Sequence, residues 1–135
     1  MHKKLLAIVM VTLLLAFILT GCGAVLHSKS GTTTTVILIR HAEKTEAGTL
    51  SPQGLARAQA LVEAVGDMAI EVIYSPNLRR NLDTVEPLAD HLGIEITLTP
   101  KVSLPMVDKI CKEILNTHAG KTVLWVKSCL NLNSA

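Results

Sequence analysis

Apolar and polar positions along residues 34–126 recur in segments that predict four strands and three helices. A continuous apolar run such as Val36-Ile37-Leu38-Ile39 is typical of a strand that is buried on both faces. The first helical pattern opens at Ser51-Pro52, with serine as the cap and proline at the first helical position. We expect strands near 36–39, 72–74, 94–98 and 122–126, and helices near 52–65, 78–92 and 107–115.

These predicted strands and helices alternate along the chain. That order indicates an α/β fold of three layers, in which helices cover both faces of a parallel sheet. Ligands of such folds bind beyond the carboxyl ends of the strands, so the residues after Ile39, Tyr74 and Val126 are candidates for a site. Pro87 falls inside the second helical pattern and predicts a kink or a break there.

A separate apolar segment precedes the domain. Residues 5–20 carry no charge and follow Lys3 and Lys4, and a run of this length is typical of a signal-peptide core. The run ends in Leu19-Thr20-Gly21-Cys22, which resembles the bacterial lipoprotein signal. The resemblance implies cleavage before Cys22 and lipidation of its thiol. An uncleaved membrane anchor, with Cys22 as an ordinary buried thiol, is the alternative.

The chain therefore divides into three predicted parts: a signal peptide at 1–21, a flexible tether at 22–33 and one domain at 34–135. The tether is rich in glycine, serine and threonine, which bury too little surface to fold alone. With a lipid on Cys22, the domain is expected outside the cytoplasm, anchored to the cell membrane.

Charge and cysteine content narrow the classes of function. Residues 22–135 carry 11 basic and 11 acidic side chains, which excludes a strongly basic nucleic-acid binder. Cys111 lies on the apolar side of the third helical pattern, so we expect a buried free thiol. A disulfide between Cys111 and Cys129 is the alternative in an exported protein. The cysteine spacing fits no zinc pattern.

Side chains that suit a phosphoryl group follow the first two strands. Arg40-His41 comes directly after the first strand, and Ser75 and Arg79-Arg80 follow the second. A neutral imidazole is a competent nucleophile toward phosphorus, and guanidinium groups bind phosphoryl oxygens in a planar fork. Because the ends of parallel strands share one edge of the sheet, these residues predict a phosphate pocket.

Four segments in the same order resemble motifs of the histidine phosphatase superfamily, which has the phosphoglycerate-mutase-like fold. They are Val36–Lys44, Leu50–Ala58, Tyr74–Thr84 and Gly120–Leu124. The resemblance implies hydrolysis of a small phosphomonoester through a phosphohistidine, with no metal or other cofactor. It also implies roles for single residues: His41 matches the nucleophile, and Arg40 and Arg80 match the two phosphate-binding arginines.

Two neighbours of these residues have less defined roles. Arg79 is expected to face solvent, because the motif places the phosphate-binding arginine four residues before Thr84. The acid that donates a proton varies in position among branches of the family, and Glu43 is one candidate.

The chain departs from the family's pattern after the fourth strand. Where the family has Gly-His-Ser, this chain has Lys127-Ser128-Cys129, and its last histidine, His118, precedes the strand. Lys127 supplies positive charge in the same region. So abrupt a change predicts a domain that is incomplete after about residue 126, as a frameshift or a premature stop would produce. Three hypotheses on function stay open: an exported phosphatase, a non-catalytic phosphate-binding pseudoenzyme and an inactive truncated fragment.

Overall fold

A computed structural model describes residues 28–100 and 104–127 of the protein. The predicted signal peptide, Cys22 and Cys129 lie outside these residues. In the described part, four strands and three helices alternate as the sequence predicts. They are β1 (Thr35–Arg40), α1 (Pro52–Val65), β2 (Ile70–Pro76), α2 (Arg79–Leu92), β3 (Ile96–Thr99), α3 (Leu104–Thr117) and β4 (Thr122–Lys127). No helix in this part is both long and apolar enough to cross a bilayer.

The strands form one parallel sheet in the order β1-β4-β2-β3. The last strand in the chain therefore lies between the first two. Trp125 of β4 is the register partner of Leu38 on one side and of Tyr74 on the other. This order brings the carboxyl ends of β1, β4 and β2 to one edge of the sheet, which is where the sequence predicts a site.

Helices cover both faces of the sheet, which confirms the three-layer α/β fold. Side chains of α1 and α2 pack on one face, around Ile73 and Leu124. Side chains of α3, including Ile110 and Ile114, pack on the other face, against Trp125. Val123–Val126 of β4 are buried throughout, because this strand has a strand on each side and a helix on each face.

The burial predicted for β1 on both faces is wrong. Val36 and Leu38 are 45% and 56% exposed, whereas Ile37 and Ile39 on the opposite face pack against the α1–α2 side of the core. The reason is position, since β1 is at an edge of the described sheet and α3 packs over β2 and β4. An apolar run thus predicts a strand without fixing how many of its faces are covered.

The helix ends follow local sequence signals. The Ser51 side chain accepts a hydrogen bond from the Gly54 amide (3.1 Å), and Pro52 opens α1. Gly93 ends α2 in the left-handed conformation at a φ of 65°. The break predicted at Pro87 does not occur, because α2 runs on through this residue to Leu92. Loss of one backbone donor is offset by the packing of Val85, Leu88 and Ala89 in the core.

A small polar cluster lies on the α3 side of the sheet. The Tyr74 hydroxyl donates to Glu113 Oε1 (3.0 Å) and lies 3.0 Å from His118 Nε2. Since the Tyr74 proton goes to the carboxylate, His118 Nε2 is assigned as the donor to the phenol oxygen. Burial raises the pKa of Tyr74 to about 12, and the hydrogen bond and the negative charge of Glu113 add to the effect.

Titration of Tyr74 is therefore expected to affect stability at high pH. The pKa of Tyr74 in the folded protein lies above the ordinary value of 10. The contribution of the protonated phenol to the free energy of unfolding is therefore fully present below pH 10 and is lost as the pH rises through 12. Tyr74 is the only tyrosine of the chain, so ultraviolet absorbance reports its ionisation directly. We expect a midpoint near 12 in the folded protein and near 10 in urea. Equal midpoints in both states would contradict the burial of this phenol.

Candidate functional site

A cavity of about 680 Å³ opens at the carboxyl end of β1. Its lining comes from the last residues of β1, from the loop that follows and from one side chain of α1. The lining residues are Ile39, Arg40, His41, Ala42, Glu43, Lys44 and Arg57. The cavity thus combines an imidazole, three cationic side chains and one carboxylate.

His41 is held in one orientation by its own loop. The side chain is 9% exposed, and Nδ1 lies 2.7 Å from the Ala42 carbonyl oxygen. A carbonyl oxygen only accepts hydrogen bonds, so Nδ1 carries the proton in this contact. In the neutral ring, Nε2 then holds the lone pair. The loop therefore selects the tautomer in which Nδ1 is protonated and Nε2 is not.

Thr84 joins this loop to the first turn of α2. The Ala42 amide donates to Thr84 Oγ1 (3.0 Å), and the Thr84 hydroxyl donates to the Arg80 carbonyl oxygen (2.7 Å). His41 and Arg80 therefore have fixed backbone positions relative to each other. Arg80 is half-buried. The part of the cavity lining that comes from described residues includes Arg40 but not Arg80.

Glu43 is fixed by the start of α1. Its carbonyl oxygen accepts from the Ser51 amide (2.8 Å), and Lys44 pairs with Leu50 in an isolated antiparallel bridge. Gly54 packs directly on this backbone, because a Cβ there would overlap the Glu43 carbonyl oxygen. Glycine is needed at this position for the close approach between loop and helix.

Like Lys44, Arg57 is a charged lining residue to which the sequence interpretation assigned no role. It projects from α1, and its Nη2 lies 3.1 Å from Glu43 Oε1. Arg57 falls within Leu50–Ala58, a segment that resembles a family motif, but no role follows from that resemblance. Its spacing is a further signal: Arg57 comes three residues, almost one turn, after Gly54 and so lies on the helix side that approaches the loop. That signal has meaning only once the close approach of Gly54 to Glu43 is known.

The other residues named from the sequence lie around or away from the cavity. Lys127 ends β4 as the register partner of Arg40, so two cationic residues lie at neighbouring strand ends. Arg79 is exposed and pairs with Asp83 (2.7 Å), as expected of a solvent-facing neighbour. Ser75 is buried within β2 and donates to the Pro76 carbonyl oxygen. His118 belongs to the cluster around Tyr74.

Comparison with known families agrees with this arrangement. The model of the histidine phosphatase superfamily (branch 1) matches residues 36–103, half of the chain. The chain belongs to this superfamily. The match contains His41 and Arg80 with the loop and helix that position them, and membership indicates a phosphatase-type function in the broad sense. No curated protein sequence matches the chain significantly.

Solved structures share the fold at low sequence identity. A phosphohistidine phosphatase SixA described as putative, from Agrobacterium tumefaciens, superposes with a TM-score of 0.54 at 20% identity, over 69% of this chain and 68% of that one. A phosphoserine phosphatase from Entamoeba histolytica, solved with 3-phosphoglyceric acid, gives 0.58 at 17% identity, over 72% and 75%. A second SixA described as putative, from Nakamurella multipartitia, gives 0.54 at 21% identity, over 71% and 59%.

Replacing Thr84 by valine tests the link between the His41 loop and α2. Valine keeps the shape but leaves the buried Ala42 amide without its acceptor, which costs about 1–3 kcal/mol of unfolding free energy. Urea unfolding followed by the fluorescence of Trp125, the only tryptophan, measures this loss. Thr97→Val, at an exposed position of β3, is the matched control. Equal stability of the two variants would show that the Thr84 hydroxyl does not hold the loop.

Proposed function

We propose that this protein hydrolyses phosphomonoesters through a phosphohistidine on His41. The orientation of His41 is the observation that carries the proposal. Its Nδ1–H is bound to the Ala42 carbonyl oxygen, so Nε2 holds the lone pair of the neutral ring, and His41 lines a cavity that also contains Arg40. A neutral, positioned imidazole next to a guanidinium group is what nucleophilic attack on a phosphate ester requires.

The proposed reaction has two steps. In the first, the Nε2 lone pair of His41 forms a bond to phosphorus while the bond to the ester oxygen breaks. The leaving oxygen takes up a proton from Glu43, the carboxyl group that lines the cavity. Glu43 is a carboxylate in its ion pair with Arg57, so in this proposal it takes up a proton when the anionic substrate binds. In the second step water attacks phosphorus and gives a proton to the Glu43 carboxylate, the P–N bond breaks and inorganic phosphate leaves. His41 recovers its lone pair and the cycle is complete.

Positive charge stabilises both steps. Phosphoryl transfer depends mainly on positioning and on the neutralisation of charge on the phosphoryl oxygens. Arg40 lines the cavity, and we assign Arg80 to the same phosphoryl group because Thr84 fixes its backbone beside the His41 loop. Lys127, at the strand end next to Arg40, adds positive charge in the same region.

Trapping of the intermediate tests the catalytic proposal. We expect the full chain to hydrolyse p-nitrophenyl phosphate and to form a phosphorylated species that is stable in alkali and labile in acid, as a P–N bond is. His41→Ala removes the nucleophile and should lower turnover by at least about 10³-fold. Arg79→Gln, at the exposed pair with Asp83, should keep wild-type turnover and serves as the control.

The result also separates catalysis from anion binding. Turnover equal to that of His41→Ala would overturn the catalytic proposal. A rise of Tm with phosphate in that case would identify a phosphate-binding pseudoenzyme, because a ligand of the folded state stabilises it by about 2.7 kcal/mol at 100 times its Kd. An unchanged Tm would favour an inactive form of the chain.

We further propose that the protein is exported and attached to the cell membrane by lipid on Cys22. The basic start, the uncharged run and the Leu-Thr-Gly-Cys sequence support this proposal. More than one acyl chain is needed for stable attachment, since each buried methylene contributes about 0.8 kcal/mol.

Metabolic labelling with alkyne-tagged palmitate in a bacterial host tests the anchor. Cys22→Ser should abolish both the label and recovery in the membrane fraction, whereas Cys111→Ser should change neither, because Cys111 belongs to α3 in the folded domain. An unlabelled wild-type chain whose leader is still attached to Cys22 would contradict the proposal.

A further inference from the structure

The cavity lining includes two cationic side chains that the proposed reaction does not use. Arg40 directly precedes His41 and suits the phosphoryl oxygens. Lys44 and Arg57 also line the cavity, the first directly after Glu43 in the loop and the second on α1. Neither has a role in the two-step reaction. Because they share the cavity with His41, they are available to the organic part of a phosphoester whose phosphoryl group lies at that residue.

The backbone segments that carry Lys44 and Arg57 are held in place by contacts that do not involve a ligand. Lys44 pairs with Leu50 through the backbone, and Thr45 and Thr49 close the loop between them with backbone and side-chain hydrogen bonds of 2.8–3.3 Å. Arg57 belongs to α1, which Gly54 brings against the Glu43 backbone. The sites of attachment of the two cations are thus set before any ligand binds, which lowers the entropic cost of binding.

The ion pair with Glu43 orients Arg57 without saturating it. The contact joins one Nη atom to one carboxylate oxygen at 3.1 Å, and a guanidinium group has five N–H donors in a planar fork. The Arg57 side chain is 63% exposed, so its other donors are accessible to solvent and to a ligand. A carboxylate or a second phosphate is the group that such a fork binds best.

We propose that the site selects phosphoesters whose organic part carries a second anionic group, bound by Arg57 and Lys44. This inference rests on the proposed function for the placement of the phosphoryl group at His41. It assigns Arg57 as a specificity-determining residue rather than a catalytic one. The alternative is a structural role, in which Arg57 only holds Glu43 and the loop in place.

A pair of non-hydrolysable ligands isolates the second anionic group. Propylphosphonate and 3-phosphonopropionate share the phosphonate and differ in that the second ends in a carboxylate. Kd values measured by calorimetry on the full chain in detergent should favour 3-phosphonopropionate by about tenfold, the size of one charge-assisted hydrogen bond. Turnover does not enter this measurement, because phosphonates have no ester bond to cleave.

Variants then identify the side chains responsible. Arg57→Gln and Lys44→Gln should each reduce the preference, and the double variant should bring the two Kd values within about twofold while the Kd for propylphosphonate stays unchanged. Arg57→Lys should restore part of the preference. Arg79→Gln, which removes a similarly exposed arginine of an ion pair outside the cavity, should retain all of it. A structural role would instead weaken both ligands equally.

The outcomes separate this inference from the proposed function. Tight binding of propylphosphonate with no gain from the carboxylate would overturn the second anionic site and leave the phosphate site intact. A preference that persists in the double variant would overturn the assignment to Arg57 and Lys44. Failure of both phosphonates to bind would overturn the inference together with the phosphate site on which it rests. A preference in a chain that forms no phosphohistidine would support selective binding while refuting catalysis.

Discussion

The Thr84 hydroxyl connects two parts of the site that are 42 residues apart in the chain. It accepts from the Ala42 amide behind His41 and donates to the carbonyl oxygen of Arg80 in the first turn of α2. One buried hydroxyl thereby satisfies a loop donor and a helix acceptor that would otherwise lie in a water-poor interior. The backbones of the His41 loop and of Arg80 keep their relative positions because of this contact. The same contact gives a physical reason for a threonine four residues after the arginine.

A second constraint acts on the other side of the His41 loop. Gly54 allows the first turn of α1 to lie on the backbone of Glu43, and the Ser51 amide bonds to the same carbonyl group. The loop after β1 is therefore held by α2 through Thr84 and by α1 through Gly54. The loop has little room to rearrange, so the hydrogen bond from His41 to the Ala42 carbonyl oxygen sets a single ring orientation. Preorganisation of this kind is the main contribution a protein makes to phosphoryl transfer.

The features that could be predicted from the sequence depend on residues that are close in the chain. The features that the sequence did not predict depend on tertiary contacts. The cap at Ser51 and the left-handed end at Gly93 involve residues a turn away, and both occur where the sequence places them. The exposure of Leu38 depends on the position of β1 at an edge, which is fixed only when β4 inserts beside it. Arg57 likewise becomes a cavity residue only when Gly54 brings α1 against Glu43.

The Glu43–Arg57 pair has a different meaning for stability and for recognition. An exposed ion pair of this kind contributes only about 0–1 kcal/mol to stability, because water and salt screen it. In a binding site, the pair affects where an anion can bind. Glu43 repels an anion that comes close to it, while Arg57 and Lys44, which line the same cavity, attract one. A carboxylate among cations discriminates by geometry as well as by charge, since a misplaced anion meets repulsion instead of merely losing a contact. A cavity lined only by cations would bind anions more strongly and distinguish them less.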